Sequence, residues 1–350
     1  MDQHIPEVIK AFGLNSKDYT ATVFGSGLIH KTYLVQRSGI PAYILQQVNH
    51  NVFKKPEDIS HNLLVIGNYI SVDAPDYPFT FPVKSTEGND YVIIDENYFR
   101  IFNFIEDTHT IDTCLQPEQA YEAAVQFGRF TSILNDFRTD MLRYTIPGFH
   151  DLSLRYQEFI SATENGNAAR LSESTDIAQG LFSWKNIADQ FEHICNDPHF
   201  RKRATHHDTK ISNVLLDKKN HGVCVIDLDT VMPGYFISDV GDMIRTYVSP
   251  ANEEDTDLAN IEVRKDFVQA IYIGYMEDMG SKLTAYEIAH FIYAGKFMIY
   301  MQALRFYTDY LYDDRYYGAA YSNHNLNRAM NQMKLLQELI KSEKELLSSF

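Results

Sequence analysis

The strongest constraint on the fold is the order in which secondary-structure signals arrive along the chain. Roughly the first hundred of its 350 residues read mostly as strands. Ala21–Phe24, Tyr33–Gln36 and Tyr43–Val48 are short β-branched or aromatic runs, separated by the turn signals GSG and RSGIP. Further strands are expected at Phe79–Val83, Tyr91–Asp95 and Tyr98–Phe104. One helix is expected here, from about Pro56 to Ile70. Pro56 suits its first turn, Glu57 and Asp58 suit its positive end, and Leu63, Leu64, Ile66 and Ile70 form its apolar face. After Glu106 the periodicity becomes helical, at Pro117–Leu134, Leu152–Ala162, Ile177–Cys195, Asp257–Met276, Ala285–Tyr312 and Leu326–Leu347. Between them the polar stretch Ala162–Asp176 reads as an exposed mobile loop. Strands first and helices afterwards exclude a doubly wound sheet, in which the two alternate. The expectation is an α+β chain with a sheet part at 1–105 and a helical part at 106–350.

Composition narrows the partners. Hydrophobic residues make up 45% and charged residues 22%, as in an ordinary globular protein. A formal net charge of -16 argues against nucleic acid or an anionic membrane as a large-surface partner. Cys114, Cys195 and Cys224 are far apart and fit neither a zinc spacing nor a disulfide framework, so a reducing cytoplasm is expected. The N-terminal stretch lacks a basic region followed by an apolar one, and no run of 18 apolar residues occurs, so neither a signal peptide nor a membrane span is expected. Leu326–Leu347 suits packing on the helical part or pairing between subunits equally well, which leaves the oligomeric state open.

Chemistry concentrates in Thr205–Thr230, THHDTKISNVLLDKKNHGVCVIDLDT. Asp208 is followed by Asn213 five residues on, and Asp227 ends the apolar run Val223–Ile226. Such an order is what phosphoryl transfer from Mg·ATP to a hydroxyl demands. Asp208 can orient the acceptor hydroxyl and take its proton. Asn213 and Asp227 can ligate Mg²⁺ as hard oxygen donors, and Lys210 can reach a phosphate as a point charge. Asp229 is either a second metal ligand or a support for the turn. His206 is expected to hold the loop by hydrogen bonds. Gly25 and Gly27 lie between two expected strands, where a phosphate-covering loop would sit. Backbone groups near Phe104 and Ile105 could pair with adenine.

HHDTKISNVLLD together with VCVIDLDTVMPG resembles the aminoglycoside-phosphotransferase and choline-kinase superfamily, which shares the protein-kinase-like two-lobed fold. Within it, HHDTKISN, VIDLDTVMPG and SDVGD (Ser238–Asp242) are most similar to the N-acetylhexosamine 1-kinases. Phe24–Val35, Tyr43–Glu57 and Leu304–Tyr317 extend the resemblance from about residue 20 to 320. It implies ATP and Mg²⁺ as cofactors and a small sugar, GlcNAc or GalNAc, phosphorylated at its anomeric hydroxyl. Carried over by motif, Asp208 would be the base, Asn213 and Asp227 metal ligands, and Arg305 and Tyr316 sugar contacts. His30 falls near the acceptor, in a glycine loop that departs from the family's order of polar residues. Gln46 or Gln47 occupies the strand position where a protein kinase carries lysine, so the cation serving the phosphates must be Lys210, Lys31 or the metal. Choline, an amino alcohol or an aminoglycoside as acceptor, or a silent ATP-binding pseudokinase, are the alternatives.

Overall fold

The computed structural model describes residues 4–25 and 29–350. Its elements in chain order begin with α1 (Ile5–Ala11), β1 (Tyr19–Val23), β2 (Lys31–Arg37), β3 (Ile40–Val48) and α2 (Pro56–Asp73). There follow β4 (Val92–Ile94), β5 (Asn97–Asn103), β6 (Thr108–His109), α3 (Pro117–Ile133) and α4 (Leu152–Asn165). Then come α5 (Ala168–Glu173), α6 (Thr175–Ser183), α7 (Lys185–Asn196), β7 (Arg203–Thr205), β8 (Val214–Asp217) and β9 (Gly222–Val225). The chain closes with β10 (Met232–Gly234), α8 (Phe236–Tyr247), α9 (Lys265–Met279), α10 (Ala285–Ala289), α11 (Phe291–Leu311) and α12 (His324–Leu347). This is the α+β class expected from the order of signals. No helix among the described residues is long and apolar enough to cross a membrane.

The chain forms two compact units. The sheet unit holds residues up to His109, and it also takes in Asp136–Pro147 and Leu215–Pro233 from far along the chain. Its sheet is antiparallel, in the order β1-β2-β3-β5-β4. Period-two alternation sorts the strand residues onto opposite faces. Tyr33 stands opposite Leu45, and Leu45 opposite Ile101, forming an apolar rung. Ile5, Val8 and Ile9 of α1, with Phe12 just after it, recur at helical spacing and pack into the same core, with Val35 and Phe99. Burying each such side chain contributes about 1.5–3 kcal/mol, which explains why this short N-terminal helix holds. The next rung, Thr32 opposite Gln46 opposite Arg100, faces the other way and is polar. In α2, Ile59, Leu63, Ile66 and Ile70 are buried, whereas Leu64 is exposed.

The helical unit is centred on α11, which is buried along nearly its whole length. It packs against α4, α8 and α12, while α3 pairs with α9. Glycines set the two closest approaches. A Cβ on Gly274 of α9 would lie 2.5 Å from the Tyr121 carbonyl, and one on Gly241 of α8 would lie 2.3 Å from that of Ala294.

Five expectations change. Phe79–Val83 is not a strand; it makes one bridge, Pro82 with Phe102, because Pro82 has no N–H to give a ladder. The expected loop Ala162–Asp176 is largely helical. Asn167 caps α5 by accepting from the Ala169 and Arg170 N–H groups, and Ser174 Oγ meets Tyr307 Oη at 2.8 Å. Polar residues read as solvated there are caps. Ile177–Cys195 divides at Trp184 into α6 and α7, and Ala285–Tyr312 divides at His290 into α10 and α11. The helix expected from Asp257 begins only at Lys265, after a 3₁₀ turn at Leu258–Asn260.

Candidate active site

In the helical unit, β7 delivers the chain into a tight turn, His206–Lys210, followed by a 3₁₀ turn at Ile211–Asn213. His207 adopts a left-handed φ of 65°, a conformation that must be held from outside. The first turns of α8 hold it. Asp239 accepts the His206 N–H at 3.0 Å and the His207 N–H at 2.8 Å, and Asp242 accepts the Thr209 N–H at 2.9 Å. Thr209 Oγ1 donates back to the Asp239 carbonyl at 2.8 Å, and Tyr247 Oη donates to the Thr209 carbonyl. The motif SDVGD is therefore the clamp of the loop. Burial pushes the Asp239 carboxyl up to about 7, the two N–H groups opposing it. Asp242 is likewise raised by burial, with Arg245 opposing.

The clamped loop presents its polar side chains in one place. His206 Nδ1 accepts the Asp208 N–H at 3.3 Å while its ring packs edge-on against Phe127. Asn213 Nδ2 donates to the Asp208 carbonyl at 2.9 Å and to its Oδ2 at 3.2 Å. With its amide nitrogen so used, Asn213 keeps Oδ1 as a hard acceptor oxygen. Lys210 Nζ lies 3.1 Å from Asp208 Oδ1 with its side chain 49% exposed. The Asp208 charge raises the Lys210 ammonium, so it stays cationic.

A second cluster of the same unit surrounds Arg305 on α11. Its guanidinium carbon lies 5.8, 5.8 and 5.4 Å from the ring centroids of Phe149, Tyr316 and Tyr317. Its Nη1 donates to Gln302 Oε1 at 3.2 Å. Among the described residues it has no carboxylate within ion-pair distance. Asp309, buried, accepts the Tyr316 N–H at 2.7 Å and the Tyr317 N–H at 2.9 Å and so sets both rings over Arg305. Tyr316 itself is 70% exposed. His150 stacks on Phe149 with centroids 4.5 Å apart and meets His207 edge-on at 5.1 Å. Burial, then the charges of His207, Arg305 and Arg245, hold His150 well below the usual imidazole range, so it is neutral. His150 thus ties the Arg305 cluster to the catalytic loop.

In the sheet unit, β9 ends just before Asp227, whose φ of 59° is left-handed, and a 3₁₀ turn, Leu228–Thr230, follows. Asp229 meets the polar rung. Arg100 Nη1 lies 2.7 Å from Asp229 Oδ1, and Arg100 Nη2 donates to Oδ2 at 2.8 Å. Gln46 Oε1 accepts from Arg100 Nε and Nη2 at 3.0 and 2.8 Å. His30 Nδ1 accepts the Asn49 N–H at 3.1 Å, so its proton sits on Nε2 and is donated to Asp229 Oδ2 at 2.8 Å. Burial alone would raise the Asp229 carboxyl, but Arg100 and His30 outweigh it and hold it well below the usual range. Thr145 Oγ1 donates to the Asp229 carbonyl at 2.7 Å, and Asn62 Nδ2 to the Val231 carbonyl at 2.9 Å.

One potential ligand atom each from His30, Asp227 and Asp229 lies within 4.8 Å of the others. His30 has both nitrogens committed, so the donors that suit a hard cation such as Mg²⁺ are the carboxylate oxygens. At the end of β5 the Phe104 N–H goes to the Ala42 carbonyl, and the Ile105 carbonyl accepts from Thr108 Oγ1. The Phe104 carbonyl and the Ile105 N–H are left, one acceptor and one donor, the pair an adenine edge takes. Gly25 has a left-handed φ of 79° between β1 and β2; Gly27 lies outside the described residues.

The residues expected from sequence thus fall into separate groups. Asp208, Lys210 and Asn213 share one loop, Arg305 and Tyr316 share an aromatic cluster, and His30, Asp227 and Asp229 share one turn. Reading the sequence assigned no role to Asp239, Asp242, Asp309 or Arg100. SDVGD was visible as a motif, but its carboxylates act on backbone N–H groups, which no side-chain pattern displays.

A family described as phosphotransferase enzyme family matches residues 20–262. Among solved structures, the chain is similar to a microcompartment-associated aminopropanol kinase, with TM-score 0.63, 14% identity, and 98% of this chain and 97% of that one covered. It is also similar to a spectinomycin phosphotransferase in complex with ADP and spectinomycin (TM-score 0.58, 13% identity, 98% of each chain covered). A choline kinase from Streptococcus pneumoniae matches with TM-score 0.57 and 13% identity over 96% of this chain and 99% of that one. The fold is therefore the protein-kinase-like one.

Proposed function

The chain belongs to the phosphotransferase enzyme family, and from that premise we propose that it transfers the γ-phosphate of ATP to the anomeric hydroxyl of an N-acetylhexosamine. Asp208 accepts a hydrogen bond from that hydroxyl and takes its proton as the new O–P bond forms. Asn213 fixes the Asp208 carboxylate through Nδ2 and offers Oδ1 to Mg²⁺; Asp227 offers its carboxylate. Bound by these oxygens, Mg²⁺ would neutralise charge on the transferring phosphate. Lys210, half-exposed and cationic, can exchange Asp208 for a phosphate oxygen. The Phe104 carbonyl and Ile105 N–H take the adenine edge, and Gly25 lies in the turn that would cover the phosphates. Three reduced cysteines suit a cytoplasmic enzyme.

The observation that carries the acceptor assignment is Arg305. A half-buried guanidinium without a carboxylate partner, ringed by Phe149, Tyr316 and Tyr317, repels an ammonium. It suits the hydroxyl and carbonyl oxygens of a neutral sugar, whose apolar face the rings can cover. The solved neighbours named for aminopropanol, choline and spectinomycin act on cationic or amine-bearing molecules, and the net charge of this chain would tolerate such an acceptor. A silent pseudokinase is disfavoured because Asp208, Asn213 and Asp227 are all present.

The test is ADP release with a panel of N-acetylhexosamines, plain hexoses, amino alcohols and aminoglycosides, followed by ³¹P NMR of the product. A sugar 1-phosphate from GlcNAc or GalNAc is expected. Turnover restricted to cationic alcohols would overturn the acceptor, and no turnover with any acceptor would overturn the enzyme.

A further inference from the structure

Resting on the reading that Asp227 is a metal ligand, we propose that Arg100, braced by Gln46, is the residue that positions the Asp227 carboxylate, and that Asp229 is its latch and not a ligand. The strand position that would carry a lysine holds Gln46. Directly opposite it on β5 stands Arg100, so the positive charge has moved one strand across the same polar rung. Its orientation decides what it can do. Arg100 Nε and Nη2 go to Gln46 Oε1, and Nη1 and Nη2 go to the two oxygens of Asp229. Three of the five guanidinium N–H groups donate hydrogen bonds, and Nη1 closes the ion pair. Both members of the ion pair are under 5% exposed. Such a cation is consumed within the protein and is not a phosphate ligand.

What it does instead follows from the neighbouring backbone. Asp227 sits at a left-handed φ two residues before Asp229, a conformation an aspartate keeps only where its surroundings fix it. Arg100 and His30 grip the Asp229 side chain, while Thr145 grips its carbonyl. The turn is thereby pinned at both its side chain and its backbone, and the direction of Asp227 with it. An arginine is needed because its planar fork matches both carboxylate oxygens while Gln46 takes the remaining edge; a lysine offers one point of contact.

The experiment measures binding of Mn²⁺ by the full-length protein in the presence of ADP, from the EPR signal of free Mn²⁺, alongside binding of metal-free ADP. Asp227→Asn should abolish Mn·ADP binding; binding as in the wild type would overturn the metal reading on which this rests. Asp229→Asn and Arg100→Lys should keep the wild-type number of bound Mn²⁺ ions but weaken their binding about 10- to 100-fold, the usual cost of losing an outer-shell partner. Metal-free ADP should bind all of them equally. Arg100→Gln with Asp229→Asn leaves no unpaired buried charge and should match Asp229→Asn alone, because the two act as one unit. Loss of one bound Mn²⁺ in Asp229→Asn would make Asp229 a ligand and overturn the proposal. Wild-type Mn·ADP affinity in Arg100→Lys would overturn it as well.

Discussion

If Asp239 holds the catalytic loop, truncating it should be read first in the stability of the helical unit. Asp239→Ala removes the carboxylate whose two oxygens accept the buried N–H groups of His206 and His207. Each unsatisfied buried donor costs about 1–3 kcal/mol, so the loss is about 2–6 kcal/mol. Set against typical stabilities of about 5–15 kcal/mol, the variant should fold at 25 °C yet unfold at distinctly lower urea. Asp239→Asn keeps one acceptor oxygen and should lose about half as much. The chain offers its own probe: its single tryptophan, Trp184, lies in the same unit, edge-on to Tyr300 at 6.4 Å, so its fluorescence follows this unit's unfolding. The pH dependence adds a second arm. The folded carboxyl is raised from 3.8 to about 7, so between those values the folded state keeps a proton that the unfolded chain has released. Stability contributed by this group therefore falls as pH rises from about 4 to about 7. Asp239→Asn cannot titrate, so its deficit relative to wild type should be largest near pH 4 and shrink toward pH 7. Coincident urea curves for wild type and Asp239→Ala at pH 5, where this group contributes most, would refute the clamp.

Other outcomes follow from single residues. Asp208→Asn should lower kcat by about 10²- to 10⁴-fold while the thermal shift induced by ADP stays unchanged; kinetics and differential scanning fluorimetry check both. Arg305→Ala should raise KM for the sugar more than it lowers kcat, and unchanged KM in a steady-state assay would remove Arg305 from the acceptor site. Glu287→Gln should cost about 3–5 kcal/mol in urea unfolding, because Arg203, 1% exposed, would keep a charge without its bidentate partner. Gly241→Ala should cost about 1–3 kcal/mol, its new methyl being driven against the Ala294 carbonyl.

What the sequence disclosed and what it withheld separate along physical lines. The antiparallel strands and long helices were legible because their apolar residues repeat every two or every 3.6 positions. The grouping of Asp208, Lys210 and Asn213 in one loop was legible because they lie within six residues. The helical Ala162–Asp176 was not, since Asn167 and Ser174 read as loop residues until the N–H groups that Asn167 caps and the Tyr307 hydroxyl that Ser174 meets are seen. Nor was Arg100, whose meaning depends on a strand register that pairs it with Gln46, and on a turn 129 residues away. Asp309 stayed hidden for the same reason as Asp239: its partners are backbone N–H groups.

The polar rung of Thr32, Gln46 and Arg100 has a practical consequence for chemical proteomics. A nucleotide that carries an acyl phosphate can acylate an amine placed beside its phosphates, such as a lysine at this strand position. Here that position offers a carboxamide and its neighbour a guanidinium, which stays protonated and does not acylate under such conditions. The cations named from sequence for the phosphates, Lys210 and Lys31, carry the amines that remain. A labelled peptide from this enzyme should therefore carry its acyl group at Lys210 or Lys31 and not within YILQQV.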